Sequence, residues 1–281
     1  MEELRFTMDE FKKMIPKHFE HVIHTESNLY EIPTNDKEVF KIYNINNKRL
    51  LNKKLKTIKY LYEFNKEEHI EELVLANGLI YIDNLFAGEI LPKIDGINTS
   101  KILYDKSIDF NKRLEILKKI GIILDKIHKS NPKYNASFTD VHPDNFMVKD
   151  DKVYAVDSSS IKLYDSEGVV NFYLSQLGTM NVCKYDIDYA KDIIPSKETD
   201  IYCYIMMILK FLSGFDLHVV SFDRYNQYLD KLANNGFDIN LINSFRSIYD
   251  ENIDNIDPLP YIDTLFNIDD KKLSIAKRVF N

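Results

Sequence analysis

The chain has 281 residues, 44% of them hydrophobic and 29% charged, with two cysteines and a formal net charge of −7. This is the composition of a globular chain long enough for two lobes of ordinary size or one large domain. It offers no run near the roughly 20 apolar residues of a membrane span, and its negative charge argues against non-specific nucleic-acid binding, which cations on the protein drive.

Elements follow in chain order. The first residues, MEELRFTMDEFKKM, are charged throughout and hold no signal-peptide core. Met8, Phe11, Met14 and Ile15 share one face of a short amphipathic helix over 8–21. Three strand-like runs come next, "HVIH", "NLYEI" and "EVFKIYN", with the turn signal "PTND" at Pro33–Asp36 before the last. Leu51, Leu55, Ile58 and Leu61 predict a helix over 48–64. The basic run Lys48, Arg49, Lys53, Lys54, Lys56 and Lys59 reads as a solvated face of that helix. Two further strands are expected in "ELVLANGLIYID", with a bend, and "LFAGEILPKI". After "IDGINTS" the pattern turns helical over 109–129, with Phe110, Leu114, Leu117, Ile120, Ile123, Leu124 and Ile127 as the buried face. "DVHPDN" (Asp140–Asn145), two strand-like pieces "FMVKD" and "KVYAVD", an irregular segment to Pro195 and a helical remainder from Asp200 complete the chain. The expected fold class is α+β: a small antiparallel β lobe with one helix, residues 1–95, then a larger, mainly helical lobe, residues 96–281.

Several residues stand out against these elements. Alternation in "VFKIY" puts Lys41 on the same face as Val39 and Tyr43, and a lysine on a buried strand needs an anionic partner or a route to water. Asp140 and Asn145 place a carboxylate and an amide five residues apart across a Pro143 turn. Asp157 ends the strand "VYAVD", and with Asn145 it makes a hard-oxygen pair of the kind Mg2+ takes. Each feature alone is common in turns and caps.

Taken in order, "VFKIY", "DVHPDN", "VYAVD" and "SKETDIYCYIMMILKFLSG" resemble the successive landmarks of the protein-kinase-like superfamily: the strand lysine, the catalytic loop, the metal-binding aspartate and the anchoring helix. "LGTM" at Leu177–Met180 resembles the Gly-Thr late in a kinase activation segment. The resemblance spans roughly residues 19–215. It implies a bilobal fold with the active site in the cleft between 1–95 and 96–281, and ATP and Mg2+ as cofactors. Lys41 would hold the α- and β-phosphates, with Ser27 and Asn28 as side-chain helpers. Asp140 would accept the acceptor hydroxyl's proton, and Asn145 and Asp157 would bind Mg2+. Backbone groups near Pro92 and Ile94 would meet adenine, and Asp200 would brace the catalytic loop from beneath.

The sequence also departs from that pattern. "HTESNLYEI" stands in place of the glycine-rich loop without a glycine, and the only acid of the helix at 48–64 is Glu63, near its end; Glu67, Glu68, Glu71 and Glu72 follow it. "FTD" replaces His-Arg-Asp, and Ser158-Ser159 follow Asp157 where Phe-Gly is usual. His142 in D-x-H-P-x-N resembles aminoglycoside and choline kinase relatives and so points to a small-molecule acceptor, whereas the segment Ser158–Pro195 and the "TDIY" helix look more like a serine/threonine protein kinase acting on a protein substrate. A nucleotide-binding pseudokinase scaffold is the third reading. No membrane span and no nucleic-acid partner are expected. The cysteines, Cys183 and Cys203, imply a reducing, cytoplasmic setting, although delivery into another cell by a dedicated secretion system is compatible with the N-terminus. His18, His21 and His24, and the acidic run Asp250–Asp257, read as ordinary surface.

Overall fold

The computed structural model describes residues 1–15, 27–164, 170–171, 196–214, 221–247 and 263–280. The strand expected in "HVIH", the histidines at 18, 21 and 24, most of the segment from Tyr164 to Pro195 with its "LGTM", Cys183 and the acidic run at 250–257 lie outside those residues. The fold is mixed α and β, and the chain divides into two compact units. The first comprises Met1–Gly96, Ser130–Ala136 and Tyr154–Gln176; the second comprises Ile97–Lys129, Ser137–Val153 and Leu177–Asn281.

The first unit is built on a five-stranded sheet of order β1-β4-β5-β3-β2. Its strands are β1 (Glu2–Phe6), β2 (Ser27–Ile32), β3 (Asn35–Tyr43), β4 (Gly78–Ile82) and β5 (Leu85–Pro92). An antiparallel sheet was expected, and most of it is; β1 instead pairs with β4 in parallel, Leu4 opposite Ile80 and Phe6 opposite Ile82. In EELRF the charges hide a strand whose alternate residues Leu4 and Phe6 pack on the Phe11, Phe40, Ile80 and Ile90 cluster. Helix α1 is Met8–Met14, closed at its start by a Thr7–Glu10 capping box.

Helix α2 (Lys48–Glu68) starts at Asn47, whose side chain accepts from the Arg49 and Leu50 amides, and ends on His69 with a left-handed φ of 54°. It runs four residues past its expected end, so Glu67 and Glu68 are helical. Its buried stripe is Lys54, Thr57, Ile58, Leu61 and Phe64. Of the six basic residues expected to face solvent, five do; Lys54 is buried. The predicted bent strand from Glu72 begins as strand only at Gly78. Before that, Val74 N donates to Ala155 O and Ala155 N to Glu72 O, a single parallel bridge that diverts the backbone from the sheet.

The second unit is mainly helical. Strand β6 (Ile97–Asn98) pairs with β7 (Phe146–Lys149), helix α3 is Thr99–Leu103, and α4 (Phe110–His128) is capped by Asp109. Strand β8 (Lys152–Ala155) carries the chain back to the first unit, where β9 (Leu163–Tyr164) pairs with β10 (Val170–Asn171). Helix α5 (Lys197–Ser213) starts in a Ser196–Thr199 capping box and stops at Gly214, φ 80°. It is buried along most of its length, packing on α4 and on α8 (Asp270–Phe280); α8 also packs on α6 (Phe222–Asn234), which meets α7 (Ile239–Ser247). This is how the apolar run Ile201–Leu212 finds its burial. Among the described residues no helix is long and apolar enough to cross a membrane. Cys203 is buried, and its thiol donates to Thr199 O at 2.8 Å.

Candidate functional site

In the first unit, β3 alternates as its sequence predicts. Phe40 and Ile42 face the α1 side, while Val39, Lys41 and Tyr43 face the side covered by α2. That face holds a small recess, about 10 Å3 in volume, walled by Ile58, Leu61, Val74, Ala76, Leu91 and Val156, with Lys41, Glu89 and Ser159 as its polar floor. Lys41 is 9% exposed. Its Nζ donates to Asp157 Oδ1 at 2.6 Å and to Ser159 Oγ at 3.1 Å, and lies 3.9 Å from Glu89 Oε1. Glu89, 1% exposed, in turn accepts from Tyr43 Oη at 2.5 Å. Lys54 Nζ sits 5.2 Å from the centre of the Tyr43 ring. Lys41 and Glu89 on the buried floor thus have the Asp157 carboxylate and the Lys54 ammonium as neighbours, and the four charges compensate one another.

The titration of these groups follows from that packing. Burial raises the Asp157 carboxyl, but the Lys41 and Lys54 charges, with hydrogen bonds from Lys41 and Ser159, outweigh it and bring it down to about 2. Burial, followed by the adjacent Glu89 charge, pushes the Tyr43 hydroxyl well above its ordinary value and keeps it a donor. Gly88 makes the close strand approach possible: a Cβ there would lie 2.2 Å from the Lys41 carbonyl oxygen.

In the second unit, the stretch from Phe138 to Asn145 is held from several sides. Asp200, fully buried at the start of α5, accepts from Phe138 N at 2.5 Å and Thr139 N at 2.7 Å, and its other contact is His128 Nε2 at 2.8 Å. These bonds hold Thr139 at a φ of 72°, a left-handed conformation that a β-branched residue adopts only under constraint. The rings of Phe138 and Phe146 stack at 5.3 Å. Thr99 Oγ1 donates to Pro143 O at 2.5 Å and Asn98 Nδ2 to Asp144 O at 2.8 Å. His142 accepts from Asp144 N at 3.2 Å and so caps the turn Pro143–Asn145. Asn145 Nδ2 donates to both the backbone oxygen and the Oδ2 of Asp140, each at 2.8 Å. The result is a rigid turn that presents one carboxylate and one amide.

The structure therefore brings Lys41 together with Asp157, and Asp140 together with Asn145. Asp200 lies where the sequence reading set it, beneath the Asp140 loop. Ser27 and Asn28 open β2, opposite Tyr43 and Ile42, and Asn28 Nδ2 donates to Asn44 Oδ1 at 3.0 Å. Pro92 ends β5 opposite Glu38, the Lys93 amide donates to Lys37 O, and the Ile94 side chain packs against the Val39–Leu91 core.

Three members of the site were missed from sequence. Glu89 and Tyr43 belong to strands whose register decides the contact, Lys41 standing directly opposite Glu89. Lys54 was absorbed into a basic run; its place on the Lys54, Ile58, Leu61 stripe was the available signal.

A divalent cation fits part of this donor set. Asp157 is an ionised carboxylate with a side chain 40% exposed, and Asn145 spends its Nδ2 on Asp140, which leaves its carbonyl oxygen for a hard cation. Among the described residues no group of three or more His, Cys, Asp or Glu gathers as a self-sufficient metal site. Asp157 and Asn145 are each a hard-oxygen donor of the kind Mg2+ takes. Compared with known proteins, the chain matches no family model and no curated protein.

Proposed function

We propose that this chain is a divergent protein-kinase-like phosphotransferase that moves the γ-phosphoryl group of Mg-ATP to a hydroxyl of a protein substrate. The observation that carries this reading is the Lys41–Asp157 contact at 2.6 Å on the floor of a recess with apolar walls. A buried cation beside a carboxylate that Lys41 and Lys54 hold ionised suits the anionic phosphates and bound cation of a nucleotide. The braced Asp140–Asn145 turn, four-fifths of whose Asp140 side chain is shielded from solvent, supplies the second chemical element, a carboxylate with a fixed direction.

In this reading Lys41 binds the α- and β-phosphates, and Asp157 and Asn145 would each offer Mg2+ an oxygen. The metal, when bound, neutralises charge on the phosphate oxygens. Asp140 orients the acceptor hydroxyl and receives its proton as the oxygen–phosphorus bond forms and the bond to the ADP oxygen breaks. Asp200 and the strained Thr139 keep Asp140 in place.

A second reading, a small-molecule acceptor, has one observation in its favour. His142 lies with Nε2 3.7 Å from Asp140 Oδ2, where it would add a second polar group beside the acceptor.

The test is transfer of labelled γ-phosphate from Mg-ATP in a cell extract, comparing wild type with Asp140→Asn and Asp157→Ala. Label entering protein bands, reduced about 10²–10⁴-fold by Asp140→Asn, is the expected result. Label confined to small molecules would favour the second reading. Absence of any wild-type-dependent label would favour a scaffold, and full activity in Asp140→Asn would overturn the assignment of the loop.

A further inference from the structure

Lys41 needs a permanent counter-ion as well as Asp157, because Asp157 is also the residue assigned to the metal. The helix covering the recess does not supply one. Helix α2 has three acids, and each is engaged elsewhere. Glu63 is exposed and lies 3.9 Å from Lys66, Glu67 accepts from Lys133 Nζ at 2.6 Å, and Glu68 accepts from the Asn131 amide at 3.0 Å. What α2 turns toward Tyr43 is a cation, Lys54, 4% exposed, with Nζ 5.2 Å from the ring centre.

The acid comes from the sheet instead. Glu89 is the β5 residue directly opposite Lys41 in the antiparallel register, and its carboxylate reaches Oε1 to within 3.9 Å of Nζ. Tyr43, two residues along β3 on the same face, donates to that same oxygen at 2.5 Å. A carboxylate this deeply buried is tolerable only with such partners. Gly88, immediately before it, allows the two backbones to approach closely enough for the contact.

We propose that Glu89, oriented by Tyr43, is the positioning residue that sets Lys41 for phosphate binding, so that the lysine is prepared by the register of β3 and β5 and not by the placement of helix α2. This rests on the phosphotransfer reading of the same recess. It follows that Lys41 is held in place whether or not α2 moves. Among the described residues, a movement of α2 carries no acid toward or away from Lys41. Lys54 adds a second cation beside the Tyr43 ring from the helix side.

The experiment is calorimetric binding of Mg-ATP and of adenosine to the full chain, for wild type, Glu89→Gln, Tyr43→Phe and Glu63→Gln, each checked for folding by its thermal midpoint. Glu89→Gln keeps the shape of the side chain and an oxygen for Tyr43 while removing the charge. Removing the charge 3.9 Å from Nζ leaves Lys41 to pair with Asp157 alone, so Mg-ATP affinity should fall by about tenfold while adenosine affinity holds. Tyr43→Phe should show the same split to a smaller degree, and Glu63→Gln should match wild type. A merely structural role for Glu89 would weaken both ligands together, and that result overturns the proposal. Wild-type Mg-ATP affinity in Glu89→Gln, or a loss in Glu63→Gln as large as in Glu89→Gln, overturns it as well, leaving the phosphotransfer reading intact. A wild-type chain that binds neither ligand removes both proposals at once.

Discussion

The Asp200 carboxylate is the point at which the Asp140 loop can be tested without reference to any substrate. It is fully buried and receives the amides of Phe138 and Thr139 at 2.5 and 2.7 Å, with His128 Nε2 at 2.8 Å. Asp200→Ala removes the buried carboxylate to which both amides donate, at about 1–3 kcal/mol for each bond, and opens a small cavity. It also releases Thr139, whose left-handed backbone stores about 1–3 kcal/mol of strain. Relaxation of that strain offsets part of the loss, so the expected destabilisation is about 3–4 kcal/mol, a large share of the roughly 5–15 kcal/mol of a typical domain. Asp200→Asn keeps one oxygen but turns an NH2 toward the second amide, and should cost about 2 kcal/mol. Urea unfolding measures the totals, and hydrogen exchange at the Phe138 and Thr139 amides localises them. A loss below about 1 kcal/mol in Asp200→Ala, or unchanged protection of those two amides, would refute the bracing role.

Two further outcomes follow from the recess. Folding lowers the Asp157 carboxyl from its ordinary 3.8 to about 2, so its contribution is complete above about pH 4 and is lost as the pH falls through 2. With the side chain 40% exposed, that contribution is about 1 kcal/mol after screening. Wild type should therefore lose stability between pH 5 and pH 2.5 by that much more than Asp157→Asn in urea titrations, and parallel curves would sink the assignment. Gly88→Ala would place a Cβ 2.2 Å from the Lys41 carbonyl oxygen and 2.9 Å from Ile42 Cδ1. Because the first of these atoms is backbone, β3 must shift, at about 1–3 kcal/mol. A thermal midpoint equal to wild type would show that the strands are farther apart than described.

Much of this was legible in the chain of letters. Helix periodicity marked α2 and α4, because a stripe at 3.6-residue spacing must be buried wherever the helix packs, and the unbroken apolar run Ile201–Leu212 marked α5. Alternation set Lys41 on the face of Val39 and Tyr43, because a strand has only two faces. The spacing of Asp140 and Asn145 across Pro143 also survived into geometry, since a five-residue turn is a local object. Its bracing by Asp200 was reached through the family resemblance, because nothing local ties residues 62 positions apart.

What the tertiary structure alone decided is which charges meet. Lys41 faces Glu89 because β3 and β5 pair in one register out of several, and a slip of one residue would turn Glu89 to the opposite face of the sheet. Lys54 left the solvated basic run because the turn of α2 carries it onto the stripe with Ile58 and Leu61, against Tyr43. β1 joined the sheet because β4 had an open edge for it to pair with, while its own letters, EELRF, show mostly charge. Register, edge availability and helix rotation are settled by packing over long separations in sequence, so the partners of a buried charge appear only once the sheet has closed around it.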